Sequence, residues 1–151
     1  MSVEDYSIEC KAALNAATIA WLHEAAGEIQ SVTIRNSRVD TGETKNSYKY
    51  IVDESSGEAQ VGSPEKNAIW EEFGTGQYAL EGKGRIGGWY VPEEKLTEKA
   101  KKKMKKVYGK DGKVFYYTEG KKPNRPLFRA FKSSKSKLQK RLEEILKGLD
   151  E

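Results

Sequence analysis

Apolar and polar positions in the first part of the chain follow the spacing of an amphipathic helix. Between about residues 4 and 34, apolar side chains follow a spacing of three or four positions and so share one face, with Asn15 filling one gap in the series. The apolar members are Ile8, Ala12, Ile19, Leu22, Ala26 and Ile29. Several further alanines in the same stretch favour helix intrinsically. The pattern predicts one long helix over residues 4–34.

Strand patterns follow further along the chain. The predicted strands are residues 45–53, 57–63, 88–91 and 113–118. The first two alternate in polarity around a Ser55-Ser56-Gly57 turn, which predicts a β-hairpin. Because alternation is typical of a sheet that is covered on one face, we expect one small antiparallel sheet of about four strands beneath the long helices.

Two more segments have helical character. Residues 93–106 are helix-prone but nearly all polar, with a thin apolar seam through Leu96, Ala100 and Met104. They are predicted to form a lysine-rich helix inserted between two strands that pair. Residues 126–147 begin with Pro126, which suits the first turn of a helix, and carry an apolar stripe to the end. The prediction is an α+β fold in a single domain over residues 1–151, with sheet and loops across 45–118.

Residues 67–76, Asn-Ala-Ile-Trp-Glu-Glu-Phe-Gly-Thr-Gly, are predicted to organise the rest of the chain. They combine a short helical turn with two glycines, and Gly74 is predicted to form a left-handed helix cap. Trp70 and Phe73 stand beside the paired carboxylates Glu71 and Glu72. Since aromatic residues are enriched at contact surfaces, these four residues are predicted to belong to a protein interface. The alternative is that the turn is only a core element.

Composition indicates a modest core and an uneven distribution of charge. Of 151 residues, 36% are hydrophobic and 33% charged, and the mean hydropathy is −0.79. Residues 1–94 carry 8 basic and 16 acidic side chains, whereas residues 95–151 carry 19 basic and 7 acidic ones. This split suits head-to-tail docking of identical subunits, or contact of the basic half with nucleic acid. Simple solvation of both halves is the third interpretation.

The lysines of the predicted inserted helix are the candidates for contact with DNA, because clustered positive charge suits a polyanion. A solvated helix face is the alternative explanation. The candidates are Lys101, Lys102, Lys103, Lys105 and Lys106.

Residue types that support catalysis are sparse. One Cys and one His offer no disulfide, metal set or nucleophile pair, so we expect no catalytic, metal or cofactor site.

Asp40-Thr41-Gly42 also matches the aspartic-protease signature, but Arg38 and Glu43 flank it where apolar or small residues are needed. We therefore predict a structural turn there.

The glycine-rich loop 76–88 does not match the spacing of a phosphate-binding loop. With no secretory or membrane-spanning pattern, we expect a soluble internal protein.

Three motifs in order resemble a known family. They are Val39-Asp40-Thr41-Gly42 before Ser47, then Ala68-Ile69-Trp70-Glu71-Glu72-Phe73-Gly74-Thr75-Gly76, then Gly120-Lys121-Lys122-Pro123-Asn124-Arg125-Pro126-Leu127-Phe128-Arg129-Ala130. Over about residues 4–146, the chain resembles the tailed-bacteriophage tail-component family represented by the tenth gene product of an HK-type siphophage. It departs from the family pattern at Asn67, at Glu43-Thr44 and within 126–129.

The resemblance implies a non-enzymatic morphogenetic protein of the tail top or head–tail junction. Its expected partners are itself, in a ring of about six copies, other neck or tail proteins, and DNA passing through the lumen. Its expected location is the virion, and the host cytoplasm during assembly. From the charge split, basic residues of 95–106, or Arg125 and Arg129, are predicted to face the neighbour's acidic side or the lumen. The alternative function is a nucleic-acid-binding module that uses the lysine-rich segment 95–106.

Overall fold

Helices lie at both ends of the chain and strands lie between them. The computed structural model describes residues 7–149, with side chains from residue 11 onward, so residues 4–6 of the predicted first helix lie outside the described residues. The elements in order are α1 (Ser7–Asn36), α2 (Glu43–Asn46), β1 (Lys49–Asp53), β2 (Glu58–Gly62), α3 (Lys66–Phe73), β3 (Trp89–Pro92), α4 (Glu98–Lys101), β4 (Lys105–Tyr108), β5 (Val114–Thr118) and α5 (Pro126–Lys147). Single turns of 3₁₀ helix cover Gly76–Tyr78, Leu80–Gly82 and Glu93–Lys95. The predicted α+β class is confirmed.

The strands form two antiparallel sheets, whereas the sequence predicted one. Among the strands of residues 7–149, β1 and β2 pair with each other and with no other strand, and Ile51 lies opposite Gln60. The second sheet has the order β3-β5-β4, which confirms the predicted pairing of residues 88–91 with 113–118. The prediction of one four-stranded sheet is wrong because β4 occupies the second edge of β5.

The predicted lysine-rich helix over residues 93–106 is also wrong. The segment forms a 3₁₀ turn, the short helix α4 and then strand β4. The Thr97 side chain accepts a hydrogen bond from the Ala100 N–H at 3.2 Å and starts α4 afresh, and a turn follows at Lys103. Helix propensities differ by only tenths of a kcal/mol per residue, so backbone pairing of β4 with β5 overrides the preference of the lysines for helix.

The described residues cluster in two compact units. The first comprises the described parts of Met1–Asn36, Tyr48–Ser63 and Leu127–Glu151. In it, α1 packs on both strands of the hairpin and buries Leu22, Ala25 and Ala26. The amide nitrogen of Gln30 donates to the backbone carbonyl of Tyr48 at 2.7 Å, which ties the helix to the chain entering β1.

Helix α5 belongs to the same unit from Leu127 onward. Its buried positions Ala130, Ser134 and Leu138 lie four residues apart and form one face of the helix. The indole N–H of Trp21 on α1 donates to the carbonyl of Leu138 at 3.1 Å. This bond and the ion pairs Lys137–Glu28 and Arg141–Glu24 join the two long helices.

The second unit comprises Ser37–Ser47 and Pro64–Pro126. It contains α2, α3, the sheet β3-β5-β4 and the loops between them, and thus nearly all of the residues in the three motifs. Among the described residues, no helix is both long and apolar enough to cross a bilayer.

Candidate functional site

Helix α3 has its polar and apolar faces reversed relative to an ordinary surface helix. Ala68, Glu71 and Glu72 are buried, and the two glutamates are only 3% and 8% exposed. The three large apolar side chains Ile69, Trp70 and Phe73 are 61%, 50% and 53% exposed. A helical period of 3.6 residues separates these two sets onto opposite faces. The helix therefore presents an apolar face to solvent and carboxylates to the interior.

Two cations from distant parts of the sequence hold the buried carboxylate of Glu71. The Nε of Arg38 donates to one carboxylate oxygen at 2.8 Å, and the Nζ of Lys121 donates to the other at 2.5 Å. The guanidinium of Arg38 also donates to the carbonyl of Lys122 at 2.8 Å. A buried carboxylate is tolerated when it is paired in this way. Glu71 therefore joins the segment after α1, helix α3 and the segment before α5.

The ionisation of Glu71 reflects these contacts. Burial alone raises the pKa of this carboxyl, but the hydrogen bonds and positive charges of Arg38 and Lys121 outweigh burial and leave the pKa below its ordinary value. The side chain is therefore ionised at neutral pH. It acts as a fixed negative charge that binds two cations, and this role is structural.

Backbone hydrogen bonds join the same two segments. The carbonyl of Glu71 accepts the N–H groups of Asn124 and Arg125 at 2.9 and 3.2 Å. Thr75 and Lys121 exchange two bonds, since the N–H of Thr75 reaches the Lys121 carbonyl and the N–H of Lys121 reaches the Thr75 hydroxyl, each at 2.9 Å. The loop after α3 thus lies directly along residues 119–125.

The end of α3 depends on glycine. Gly74 has φ 75° and ψ −179°, so its φ is positive as a left-handed cap requires, but its ψ is extended and the predicted left-handed cap does not form. A Cβ at Gly74 would lie 2.8 Å from the carbonyl oxygen of Lys121. The absence of a side chain therefore lets the two segments approach each other.

A shallow groove of about 400 Å³ lies beside the apolar face of α3. Ile69, Trp70 and Phe73 form one wall, and the loop through Ala79 and Leu80 forms the other. Glu81 and Lys83 at its rim pair with each other at 2.9 Å. The exposed face of α3 and this groove together form an apolar surface bordered by charge, which is typical of a protein-binding site.

The Asp-Thr-Gly turn is a structural loop attached to α4. Gly42 has φ 94°, and the hydroxyl of Thr41 accepts the N–H of Glu43 at 3.4 Å. The exposed carboxylate of Asp40 accepts the hydroxyl of Thr97 at 2.9 Å. This environment differs from the buried, shared-proton carboxylate pair of an aspartic protease.

The remaining predicted site residues are dispersed. Arg125 has φ 56° and is partly buried, whereas Arg129 is exposed on α5. Lys101 pairs with Glu98 at 2.6 Å and with Glu93 at 3.6 Å. The other four lysines are exposed, but the break between α4 and β4 keeps them from forming one helix face. They are Lys102, Lys103, Lys105 and Lys106.

Sequence reasoning missed Arg38 and Lys121, the two partners of Glu71. The only available signal was that each lies beside or within a motif of the resemblance, next to Val39 and after Gly120. No pattern of spacing links three positions that lie 33 and 50 residues apart.

Comparisons with protein-family models, with curated proteins and with solved structures found no match to this chain. Among the side chains that the structure describes, from residue 11 to residue 149, no group of three or more His, Cys, Asp or Glu is placed to hold a metal ion. The resemblance to the phage tail-component family therefore stays a prediction, based on the three motifs.

Proposed function

We propose that this protein is a non-enzymatic assembly protein of a tailed-bacteriophage virion, at the tail top or head–tail junction. It joins copies of itself in a ring and docks onto other neck or tail proteins. The observation that carries the proposal is the convergence of the three motifs on Glu71. Arg38 lies beside the first motif, Glu71 lies within the second, and Lys121 lies within the third. Segments that carry the motifs of one family are expected to contact one another when they form a single structural junction.

The outward face of α3 supports an assembly role. A ring with head-to-tail contacts needs two different surfaces on each subunit, because such contacts are heterologous. Trp70 and Phe73 lie on a face that the rest of the described chain leaves about half exposed, next to the groove. Exposed aromatic anchors beside a groove are the features that dominate binding energy at interfaces. We place one of the two subunit contacts on this face.

Glu71 and Glu72 were also predicted to belong to the interface, but both side chains are buried and so are not part of the exposed face. Glu71 fixes the orientation of α3 from inside through Arg38 and Lys121, and Ile69 joins Trp70 and Phe73 as a contact residue. This arrangement presents a rigid apolar surface, because α3 is fixed through its buried side.

Disruption of the gene in a phage genome that carries it tests the proposed function. The expected result is heads and tails that accumulate separately, seen by electron microscopy and rejoined when the purified protein is added. A missense change at an exposed position outside α3, such as Ile51→Ser in β1, serves as the control and should leave particles complete. Complete, infectious particles from the disrupted genome would contradict the proposal.

A further inference from the structure

The sheet β3-β5-β4 carries a row of two tyrosines and a lysine. Tyr90 lies opposite Tyr117, and Tyr117 lies opposite Lys105 on the other side. Residues directly opposite each other in an antiparallel sheet point to the same face, with Cβ atoms about 5 Å apart. The three side chains therefore form one continuous row across all three strands.

The face that bears this row is open to solvent. Tyr90 is 59% exposed, and its neighbours Tyr117 and Phe115 on the same face are only partly covered. On the opposite face, Tyr116 is 7% exposed. The sheet thus has one face covered at its centre and one accessible aromatic face.

A glycine helps to shape this face. The phenol end of Tyr117 lies where a Cβ of Gly88 would stand, so the ring extends over the backbone that leads into β3. The rings of Tyr90 and Tyr117 are 5.4 Å apart between centroids and tilted by 58°. Together the two rings form a broad aromatic surface, because each supports the other from the side.

Positive charge borders this face at the β4 edge of the sheet, where Lys105 lies in the row and Lys103 is exposed just before the strand. Other lysines nearby have acidic partners, since Lys101 pairs with Glu98 and Glu93 and Lys113 pairs with Asp111. Lysines on an edge strand also prevent unwanted pairing of strands, which is their ordinary structural role. That role does not account for the exposed tyrosines beside them. Aromatic rings flanked by lysines form the combination that binds bases by stacking and phosphates by charge.

We propose that this face binds single-stranded nucleic acid. Bases stack on Tyr90 and Tyr117, and phosphates contact Lys105 and the exposed Lys103 just before β4. A duplex offers phosphates but keeps its base faces stacked inside, so it gains nothing from the tyrosines. The site is separate from the outward face of α3, and the proposal does not depend on the assembly role.

Fluorescence anisotropy with a labelled oligothymidylate, and with a duplex of the same length, tests the site. Tyr90→Ala should weaken binding of the single strand by about tenfold or more and leave duplex binding unchanged. Tyr108→Ala is the matched control, since Tyr108 is 69% exposed on the edge strand of the same sheet but points to the opposite face. It should bind like the parent. Circular dichroism establishes that each variant is folded.

A second binding measurement tests the contribution of Lys105. Lys105→Gln should lower affinity for both nucleic acids and reduce the slope of log affinity against log salt by about one for the duplex. Failure of the parent protein to bind the single strand, equal binding by Tyr90→Ala and Tyr108→Ala, or preference for the duplex would each overturn the proposal.

Discussion

Glu71 joins three segments of the second unit through its side chain and its backbone. Its carboxylate binds Arg38 and Lys121, and its carbonyl accepts two backbone N–H groups. Removing one partner from a buried ion pair is costly, because the other charge loses its compensation. Here both cations are about half exposed, so solvent can hydrate them and limits that cost.

Replacing Glu71 with Gln should destabilise the protein by about 1–3 kcal/mol, since charge-assisted hydrogen bonds are lost at a buried position. Urea unfolding measures the change. Glu81→Gln is the control, because the Glu81 side chain is 73% exposed and its pair with Lys83 lies at the surface. Equal stability of the two variants would mean that the Glu71 cluster contributes nothing.

The contribution of Glu71 should also depend on pH. Its pKa is lower in the folded protein than in the unfolded chain, so the folded protein binds this proton less readily. The stabilisation is fully present above the unfolded value of about 4.3 and is lost as pH falls through the lower folded value. The stability difference between the parent and Glu71→Gln should thus stay constant near neutrality and shrink in acid. A difference that grows on acidification would contradict this assignment.

The sequence alone indicated which residues of α3 matter but not which way they face. The helical period places Glu72 and Phe73 on different faces, but it does not say which face is buried. The usual rule buries the aromatics and exposes the carboxylates. The rule fails here because Arg38 and Lys121, far away in the sequence, provide the charges that allow Glu71 to be buried.

At the scale of elements, the loop after α3 depends on close backbone approach. Gly76 has φ 62°, and a Cβ there would collide with the carbonyl oxygen of Glu119. Gly82 has φ 66°, but a Cβ there would meet nothing within 4 Å.

The two glycines form a matched pair for mutation. Each Gly→Ala change costs about 1–2 kcal/mol for the left-handed backbone, and only Gly76→Ala adds a steric collision. Thermal unfolding should therefore show a clearly lower Tm for Gly76→Ala than for Gly82→Ala. Equal Tm values would show that the loop and residues 119–120 do not need this approach.

Elements with strong local signals were predicted well. The C-terminal helix was expected over residues 126–147 and is observed at Pro126–Lys147, because its apolar stripe is regular and proline marks its start. Strand β4 was missed because Lys105–Tyr108 has only two strand-forming residues, and its conformation is set by pairing with β5. The number of sheets likewise depends on pairing between distant segments, which local patterns do not encode.

At the scale of the whole molecule, the uneven charge predicts an effect of salt on assembly. Residues 1–94 are net acidic and residues 95–151 net basic, so in the proposed head-to-tail assembly neighbouring subunits should attract where an acidic surface meets a basic one. Association should slow and weaken between about 0.05 and 0.5 M salt, as the Debye length shortens. Light scattering over a salt series measures this. Assembly that strengthens steadily with salt would indicate an interface governed by apolar contact alone.

The outward apolar face of α3 is the proposed contact between subunits, and the mass of the protein in solution tests this placement. Sedimentation velocity over a concentration series compares the parent with Trp70→Ala/Phe73→Ala and with the control Tyr90→Ala/Tyr108→Ala. The two control residues are 59% and 69% exposed, lie on the sheet β3-β5-β4 of the same unit, and are not among the residues that line the groove beside α3.

Alanine at interface aromatics typically costs about 2 kcal/mol or more each, so the α3 double variant should shift assembly to at least tenfold higher concentration while remaining folded. The control should assemble like the parent, as should a variant with any two lysines of residues 101–106 neutralised, within a small factor. If the Trp70→Ala/Phe73→Ala protein is folded and forms the same oligomer at the same concentration as the parent, the interface does not lie on this face.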